Sequence, residues 1–306
     1  CMKIKKCILC GSEKNKFITK GSDKYMGVDK KEYKIQQCLE CKLTFLEPMP
    51  NENELLSYYP VNYSIFIDEK KNYKIGKNYF EIFKNFIADR LNLNHLKNIL
   101  VKFSGKNINY LDYGCGSGKN IFSLKGKYGN WKFFGYDKYN TKLSVKKYDK
   151  IQFFHEISEL NHLGDNYFHI INLSSVIEHV QDPPRLILFL KKKLCQGGLI
   201  IIKTPNFNSI SRKIFGKYWH NLDVPRHLHI FSDKNLTKML DDNGLKKQKI
   251  FYSRNSGVEV KSLYSFFNIK KKPKSHDFIV NLFNPITIML SLLNTSSTIT
   301  IIAQKT

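Results

Sequence analysis

The sequence predicts an α/β fold, a Rossmann-like open sheet preceded by a small cysteine-rich N-terminal lobe, and three observations lead there. An apolar strand over 108–113 runs into Gly114, Gly116 and Gly118, after which helical spacing resumes at Ile121, Phe122 and Leu124. Further apolar strands follow at 131–136, 168–173 and 199–203, the last two separated by a helical stretch over 185–194. Two Cys-x-x-Cys knuckles, Cys7/Cys10 and Cys38/Cys41, mark the lobe. At 306 residues the chain holds one full-sized α/β domain and a small metal-stapled one.

From the N-terminus, Cys1 precedes Met2, which reads as the natural initiator. Cys7, Cys10, Cys38 and Cys41 supply four thiolates in paired knuckles, a donor set suited to tetrahedral zinc. Gly11 and Lys42 fit the tight turns behind each pair, although the interval between knuckles exceeds that of common zinc ribbons. No secretory leader precedes the cysteines and no βαβ unit surrounds them, which argues against disulfides or a thioredoxin-like redox pair and for a cytoplasmic location. A closed four-sulfur site leaves no position for substrate, so its expected role is to fold the lobe. Residues 51–59 read as a short helix after Pro48-Met49-Pro50. A longer helical stretch then places Tyr79, Phe80, Phe83, Phe86, Ile87 and Leu91 on one face, a core stripe or a segment closing over a cofactor.

The glycine turn excludes two ligand motifs. A P-loop needs a glycine where Tyr113 stands and a hydroxyl residue where Asn120 stands. A dinucleotide fingerprint needs its third glycine one residue later than Gly118. The loop resembles motif I of class I S-adenosylmethionine (SAM) methyltransferases. Asp137 ends the next strand roughly twenty residues on, where nucleotide-binding folds place a carboxylate on ribose hydroxyls; a plain surface Asp is the alternative. Beyond the 168–173 strand stand Ser174-Ser175-Val176-Ile177-Glu178-His179-Val180, Asp182-Pro183-Pro184, Gly197-Gly198 and Thr204-Pro205-Asn206. This series resembles a methyltransferase group that includes quinone O-methyltransferases and enzymes encoded with bacterial surface polysaccharides, over about residues 106–253. The resemblance implies a seven-stranded sheet with its last strand antiparallel, and SAM held by Asp112, Gly114, Gly116, Gly118, Asp137 and Ser174. His169 departs from the group's usual Asp.

The acceptor side belongs beyond the carboxyl end of the 199–203 strand, where open α/β sheets bind ligands. Residues 212–232 concentrate Tyr218, Trp219, His220, Arg226, His227 and His229. The Pro225-Arg226-His227-Leu228 stretch is similar to a feature of polysaccharide-associated methyltransferases and, more distantly, to a His-Glu-His segment of nucleotide-sugar C-methyltransferases with zinc lobes. That comparison places a catalytic base at His227, while Pro225 and Arg226 replace the first His and the acid. Histidine near neutral pKa suits deprotonation of an acceptor; substrate hydrogen bonding and a structural role are the alternatives. Arg226 either pairs with an acceptor phosphate or carboxylate or braces the loop through Asp223. His179 lines the pocket or caps a helix, and Trp219 and Tyr218 stack on a ring substrate or fill a lid.

The net charge of +24 invites a nucleic-acid reading. Only five of the fifty basic residues are arginine, however, and the lysines are spread along the chain, so the charge argues against nucleic acid. Lysine, Asn, Ile, Tyr and Phe together resemble an AT-rich codon bias. The run Lys270-Lys271-Lys272-Pro273-Lys274 reads as a solvated loop, with anionic lipid or phosphate contact as the alternative. No apolar stretch is long enough to span a membrane; residues 283–293 are expected to form a packed helix before a final strand at 298–303. Cys115 and Cys195 are expected to be packing residues. The organisation is thus a zinc-ribbon-like lobe (1–60), a helical connector (61–105) and a methyltransferase domain (106–306) with an acceptor lid insert (204–245). The expected acceptor is a small polar metabolite, a sugar or sugar derivative for a cell-surface glycan, free or linked to nucleotide or phosphate. A quinone precursor, an RNA gripped by the zinc lobe, and a non-catalytic scaffold are the alternatives.

Overall fold

The computed structural model describes residues 6–23, 27–28, 30–59, 99–139, 150–254, 256–269 and 273–306. Cys1, Met2, the stripe from Tyr79 to Leu91, most of the expected connector and Lys270 to Lys272 lie outside the described residues. The N-terminal part forms β1 (Asn15–Gly21), β2 (Tyr33–Cys38), β3 (Thr44–Glu47) and α1 (Glu52–Ser57). A reciprocal capping box between Asn51 and Glu54 starts α1.

The following part alternates β4 (Asn109–Tyr113), α2 (Lys119–Lys125), β5 (Lys132–Tyr136), β6 (Ile151–Phe154), α3 (Ile157–His162), β7 (Phe168–Ser174), α4 (Pro183–Lys193) and β8 (Leu194–Pro205). It continues through α5 (Ile210–Phe215), β9 (His229–Ile230), α6 (Asp233–Asp242), β10 (Leu245–Tyr252), α7 (Gly257–Phe266), α8 (His276–Leu292) and β11 (Thr298–Lys305). Asp182 accepts from the Arg185 N–H and Pro183 opens α4, as the Asp-Pro-Pro spacing predicts.

Seven strands form one sheet in the order β10-β11-β8-β7-β4-β5-β6. The four central pairings are parallel, whereas β11 runs antiparallel to both β8 and β10. Alternation along the strands sends Leu111, Ile171, Ile200, Ile202 and Ile301 into one core and Tyr110, Ile170, Ile201 and Ile302 into the other. The sheet is the seven-stranded class I methyltransferase sheet that the sequence predicts, antiparallel last strand included.

A second sheet has the order β1-β2-β3-β9, so the 204–245 segment adds a strand to the N-terminal lobe, with Thr44 opposite Ile230 and Phe45 opposite His229. Cys7, Cys38, Leu43 and Phe45 share the apolar cluster of Ile171 and Phe231, so lobe and sheet are one packed body. The expected packed helix at 283–293 needs correction. It begins earlier, at His276, and buries Asn284, Thr287 and Leu290 while Phe278, Leu282, Ile286 and Met289 face outward.

Candidate active site

The strand β4 delivers the chain to its glycine turn at the carboxyl edge of the sheet. Gly114, Gly116 and Gly118 have φ of 78°, 53° and 73°, a region L side chains avoid. A Cβ on Gly114 would stand 2.4 Å from Val176 Cγ2. Asp137, buried at the end of β5, accepts from the Gly116 N–H at 2.8 Å and from the Tyr139 N–H at 3.0 Å, tying the loop to the neighbouring strand. Asp112 lies inside the sheet, where Asn172 and Asn120 donate to its carboxylate at 2.7 and 3.3 Å. Burial pushes its carboxyl up to about 6 against the lowering influence of those two amides. Ser174 ends β7 exposed at the same edge, and Ser175 follows with φ of 56°. An open turn of bare peptide planes beside a carboxylate fits a nucleoside-bearing cofactor.

Beyond β7 and β8 the structure gathers Glu178, His179 and His227, with one potential ligand or proton-accepting atom from each within 4.8 Å of the others. Glu178 belongs to the 3-10 turn Ile177–His179 and is fully buried. Its Oε2 accepts from Thr204 Oγ1 at 2.9 Å, its Oε1 has no hydrogen-bond partner among the described residues, and burial pushes its carboxyl up. His227 Nδ1 lies 2.8 Å from the Asn221 carbonyl. A carbonyl only accepts, so Nδ1 carries a proton and Nε2 is the nitrogen that bears the lone pair in the neutral ring, with Asp223 Oδ2 at 3.9 Å. His179 Nδ1 likewise faces the Arg226 carbonyl at 3.0 Å and the Tyr59 hydroxyl at 2.9 Å. Burial, and then the nearby His227, push His179 down to about 3, so it stays neutral. The two imidazoles meet edge to face with centroids 4.7 Å apart.

The remaining acceptor-side candidates serve the frame. Arg226 is fully buried: Nη2 donates to Asp23 at 2.8 Å and to Asp223 at 2.6 Å, and Nη1 donates to the Tyr58 carbonyl at 3.4 Å. Its side chain has no exposed surface and reaches Asp223, the partner of its brace reading. Trp219 is also buried, and its indole N–H donates to Ser297 Oγ at 3.2 Å, a position that matches its reading as a filler of the insert. Tyr218 is half-buried and packs edge-on against Phe266. Asp23, Tyr59 and Asn221 reach the site without a local sequence signal; Asp23 lies 203 residues from Arg226.

In the lobe, Cys7 Sγ and Cys41 Sγ are 3.4 Å apart, Cys10 Sγ and Cys38 Sγ 3.5 Å, and all four sulfurs lie within 4.8 Å of one another. Zinc–sulfur bonds of about 2.3 Å in a tetrahedron separate sulfurs by about 3.8 Å, so these residues fit the ion. The contact between Cys7 and Cys41 pulls the Cys7 thiol down to about 5 and pushes the Cys41 thiol up, as two sulfurs sharing one proton do. Burial pushes Cys115 and Cys195 up, as packing thiols.

A family model described as a methyltransferase domain matches residues 81–250, more than half of the chain. Among solved structures, the chain is similar to a SAM-dependent methyltransferase from Archaeoglobus fulgidus, with 22% identity, 74% of this chain and 100% of that one covered, and a TM-score of 0.46. It is also similar to an S-adenosylmethionine-dependent methyltransferase from Mesorhizobium loti, at 15%, 69%, 96% and 0.46 respectively. A third is the 1,6-didemethyltoxoflavin-N1-methyltransferase of Burkholderia thailandensis, at 11%, 88%, 97% and 0.46. Comparison with curated proteins finds no match.

Proposed function

The chain belongs to the methyltransferase-domain family and is a SAM-dependent methyltransferase, and from that premise we propose that it methylates a small polar acceptor, a sugar or sugar derivative made for a cell-surface glycan. The observation that carries this reading is the position of His227, whose Nε2 keeps a lone pair beside Glu178 and His179 at the carboxyl edge of the sheet. When bound, SAM supplies a methyl group already activated on a sulfonium. The chain must therefore align an acceptor and take its proton. His227 Nε2 accepts that proton while the Nδ1–H bond to the Asn221 carbonyl holds the ring's tautomer. The Asp223 carboxylate, 3.9 Å from Nε2 and held below its ordinary pKa, favours the imidazolium that results, and the neutral His179 offers hydrogen-bonding capacity to a polar acceptor.

The cofactor side rests on Gly114, Gly116 and Gly118 against the donor's backbone-facing atoms and Asp137 near its ribose, with Asp112 bracing the turn from within the sheet. Zinc in the Cys7–Cys10–Cys38–Cys41 cluster holds the lobe that carries β3. A polyhydroxy acceptor is favoured over a quinone precursor because Trp219, the largest aromatic of the insert, is buried in the core. The RNA reading loses support because β9 pairs with the lobe's sheet, giving the lobe an internal role.

The test is transfer of isotopically labelled methyl from SAM into separated pools of sugar or nucleotide-linked metabolites and total RNA from the source cell. Label in the small-molecule pool supports the proposal; label in RNA overturns it.

A further inference from the structure

The helix α8 is built inside out. Its buried side is polar: Ser256 Oγ donates to Asn284 at 3.0 Å, Thr287 Oγ1 donates to the Arg254 carbonyl at 3.0 Å, and Ser291 Oγ donates to the Tyr252 carbonyl at 2.7 Å. Its exposed side is apolar: Phe278, Leu282, Ile286, Met289 and Leu293 follow one another at intervals of three or four residues, and Phe278 and Leu282 are 71% and 62% exposed. A water-facing helix shows the opposite pattern. No charged residue interrupts 278–294, so the stripe is about 22 Å of uninterrupted apolar surface at 1.5 Å per residue.

The helix before it, α7, also exposes aromatics. Phe266 and Phe267 end α7 exposed, with ring centroids 5.2 Å apart. Phe266 in turn meets Tyr218 at 5.5 Å and Phe215 at 6.4 Å, inside the acceptor insert. Charge supplies the second half of the pattern. Between residues 260 and 277 stand Lys261, Lys270, Lys271, Lys272 and Lys274, and Asp277 is the only acidic residue from 260 to the last residue.

We propose that the exposed face of α8, with the aromatic end of α7, docks this protein onto an anionic lipid surface. The apolar stripe enters the boundary between headgroups and acyl chains, and the exposed Lys261 and Lys274 meet the negative headgroups. With 17 residues, α8 lies along such a surface and does not span it; no described helix is long and apolar enough to cross a membrane. Charge selects this occupant over two others. A second copy would bring another net +24 against the same lysines. The chain's own 60–98 segment, which carries the Tyr79-to-Leu91 stripe, holds seven basic and four acidic residues and so offers no net counter-charge. Docking on this face sets the acceptor insert beside the lipid surface, whichever acceptor it takes.

The experiment is flotation of the full chain with vesicles of phosphatidylcholine alone or mixed with phosphatidylglycerol, together with a triple variant Phe278→Ser, Ile286→Ser and Met289→Ser whose thermal midpoint is checked against wild type. We expect wild type to float with the mixed vesicles, less with phosphatidylcholine alone, and the triple variant's bound fraction to fall roughly tenfold or more as the apolar contact is removed. In a separate Ile286→Trp variant, tryptophan emission shifts to the blue when mixed vesicles are added. The proposal is overturned if wild type stays with unbound protein, or if the triple variant floats equally well, which would leave lysine electrostatics alone. It is equally overturned if wild type self-associates without lipid and the triple variant does not, or if the Ile286→Trp emission is already blue and vesicles leave it unmoved, since the chain would then cover its own stripe.

Discussion

Arg226 Nη2 and Asp23 Oδ1 meet at 2.8 Å with neither side chain exposed, joining residues 203 positions apart. The bond ties the lobe directly to the residue that precedes His227. Arg226→Met leaves Asp23 and Asp223 as buried carboxylates without their cation, and we expect a loss of about 3–5 kcal/mol in urea unfolding. Asp23→Leu combined with Arg226→Met should recover part of that loss; equal stability of wild type and Arg226→Met would refute the brace.

For the base, His227→Ala is expected to leave SAM affinity unchanged by calorimetry and to lower kcat by about 10²–10⁴-fold. His227→Gln, which keeps a hydrogen-bonding side chain but cannot take the proton, should be comparably slow. Turnover equal to wild type in either variant removes the assignment.

Gly114→Ala sets a methyl group against Val176 Cγ2 in a backbone conformation with φ of 78°. SAM binding should weaken by roughly tenfold or more, as each 1.4 kcal/mol of strain or misfit costs that factor. Asp137→Ala should weaken SAM binding in the same titration, because the Gly116 N–H then loses its carboxylate. Unchanged affinity in both variants would place the cofactor elsewhere.

The cysteine cluster predicts about one zinc per chain by metal analysis. Stripping the metal with a chelator should lower the thermal midpoint and speed hydrogen exchange at the Thr44 and Ile230 amides, where β3 pairs with β9. Full retention of both after metal loss would make the cluster dispensable to the fold.

Acid should unfold the protein earlier than its carboxylates alone dictate. Burial pushes His179 down to about 3 and His220 and His229 down to about 4, below the ordinary 6.5. Between pH 6.5 and those values the unfolded chain binds protons that the folded chain refuses. Each group therefore withdraws about 1.4 kcal/mol of stability per pH unit as pH falls through that window. Asp112, pushed up to about 6, and Glu178, also pushed up by burial, work in the opposite direction over the lower part of the window and offset part of what the three histidines withdraw. Urea midpoints from pH 7 to pH 5 should fall, and a flat profile would contradict neutral buried imidazoles.

The parallel strands were legible because continuous apolar runs such as 168–173 suit a sheet covered on both faces, and the glycine turn because its spacing left few alternatives. The pairing of β9 with β3 was not legible, since His229 and Ile230 form only a two-residue strand. The arginine's partner was equally hidden: Asp223 stands three residues away, but Asp23 carries no local pattern. Trp219 was ambiguous for a related reason, because an aromatic among histidines reads equally as a binding platform or a filler until Ser297 is seen to hold its indole from the other end of the chain. In α8 an apolar pattern signalled a helix but gave no account of which side the protein would cover.

On the proposed function, the shared sheet of β1, β2, β3 and β9 is the unit that would carry acceptor preference between relatives. Grafting the 204–245 insert alone into another scaffold would carry β9 away from β3, leave an open strand edge in the donor's lobe, and separate Arg226 from Asp23. A working chimera must move two stretches together, one from each half of the chain. Recombination at any single breakpoint between them would divide the module and yield a protein that lacks the frame around His227.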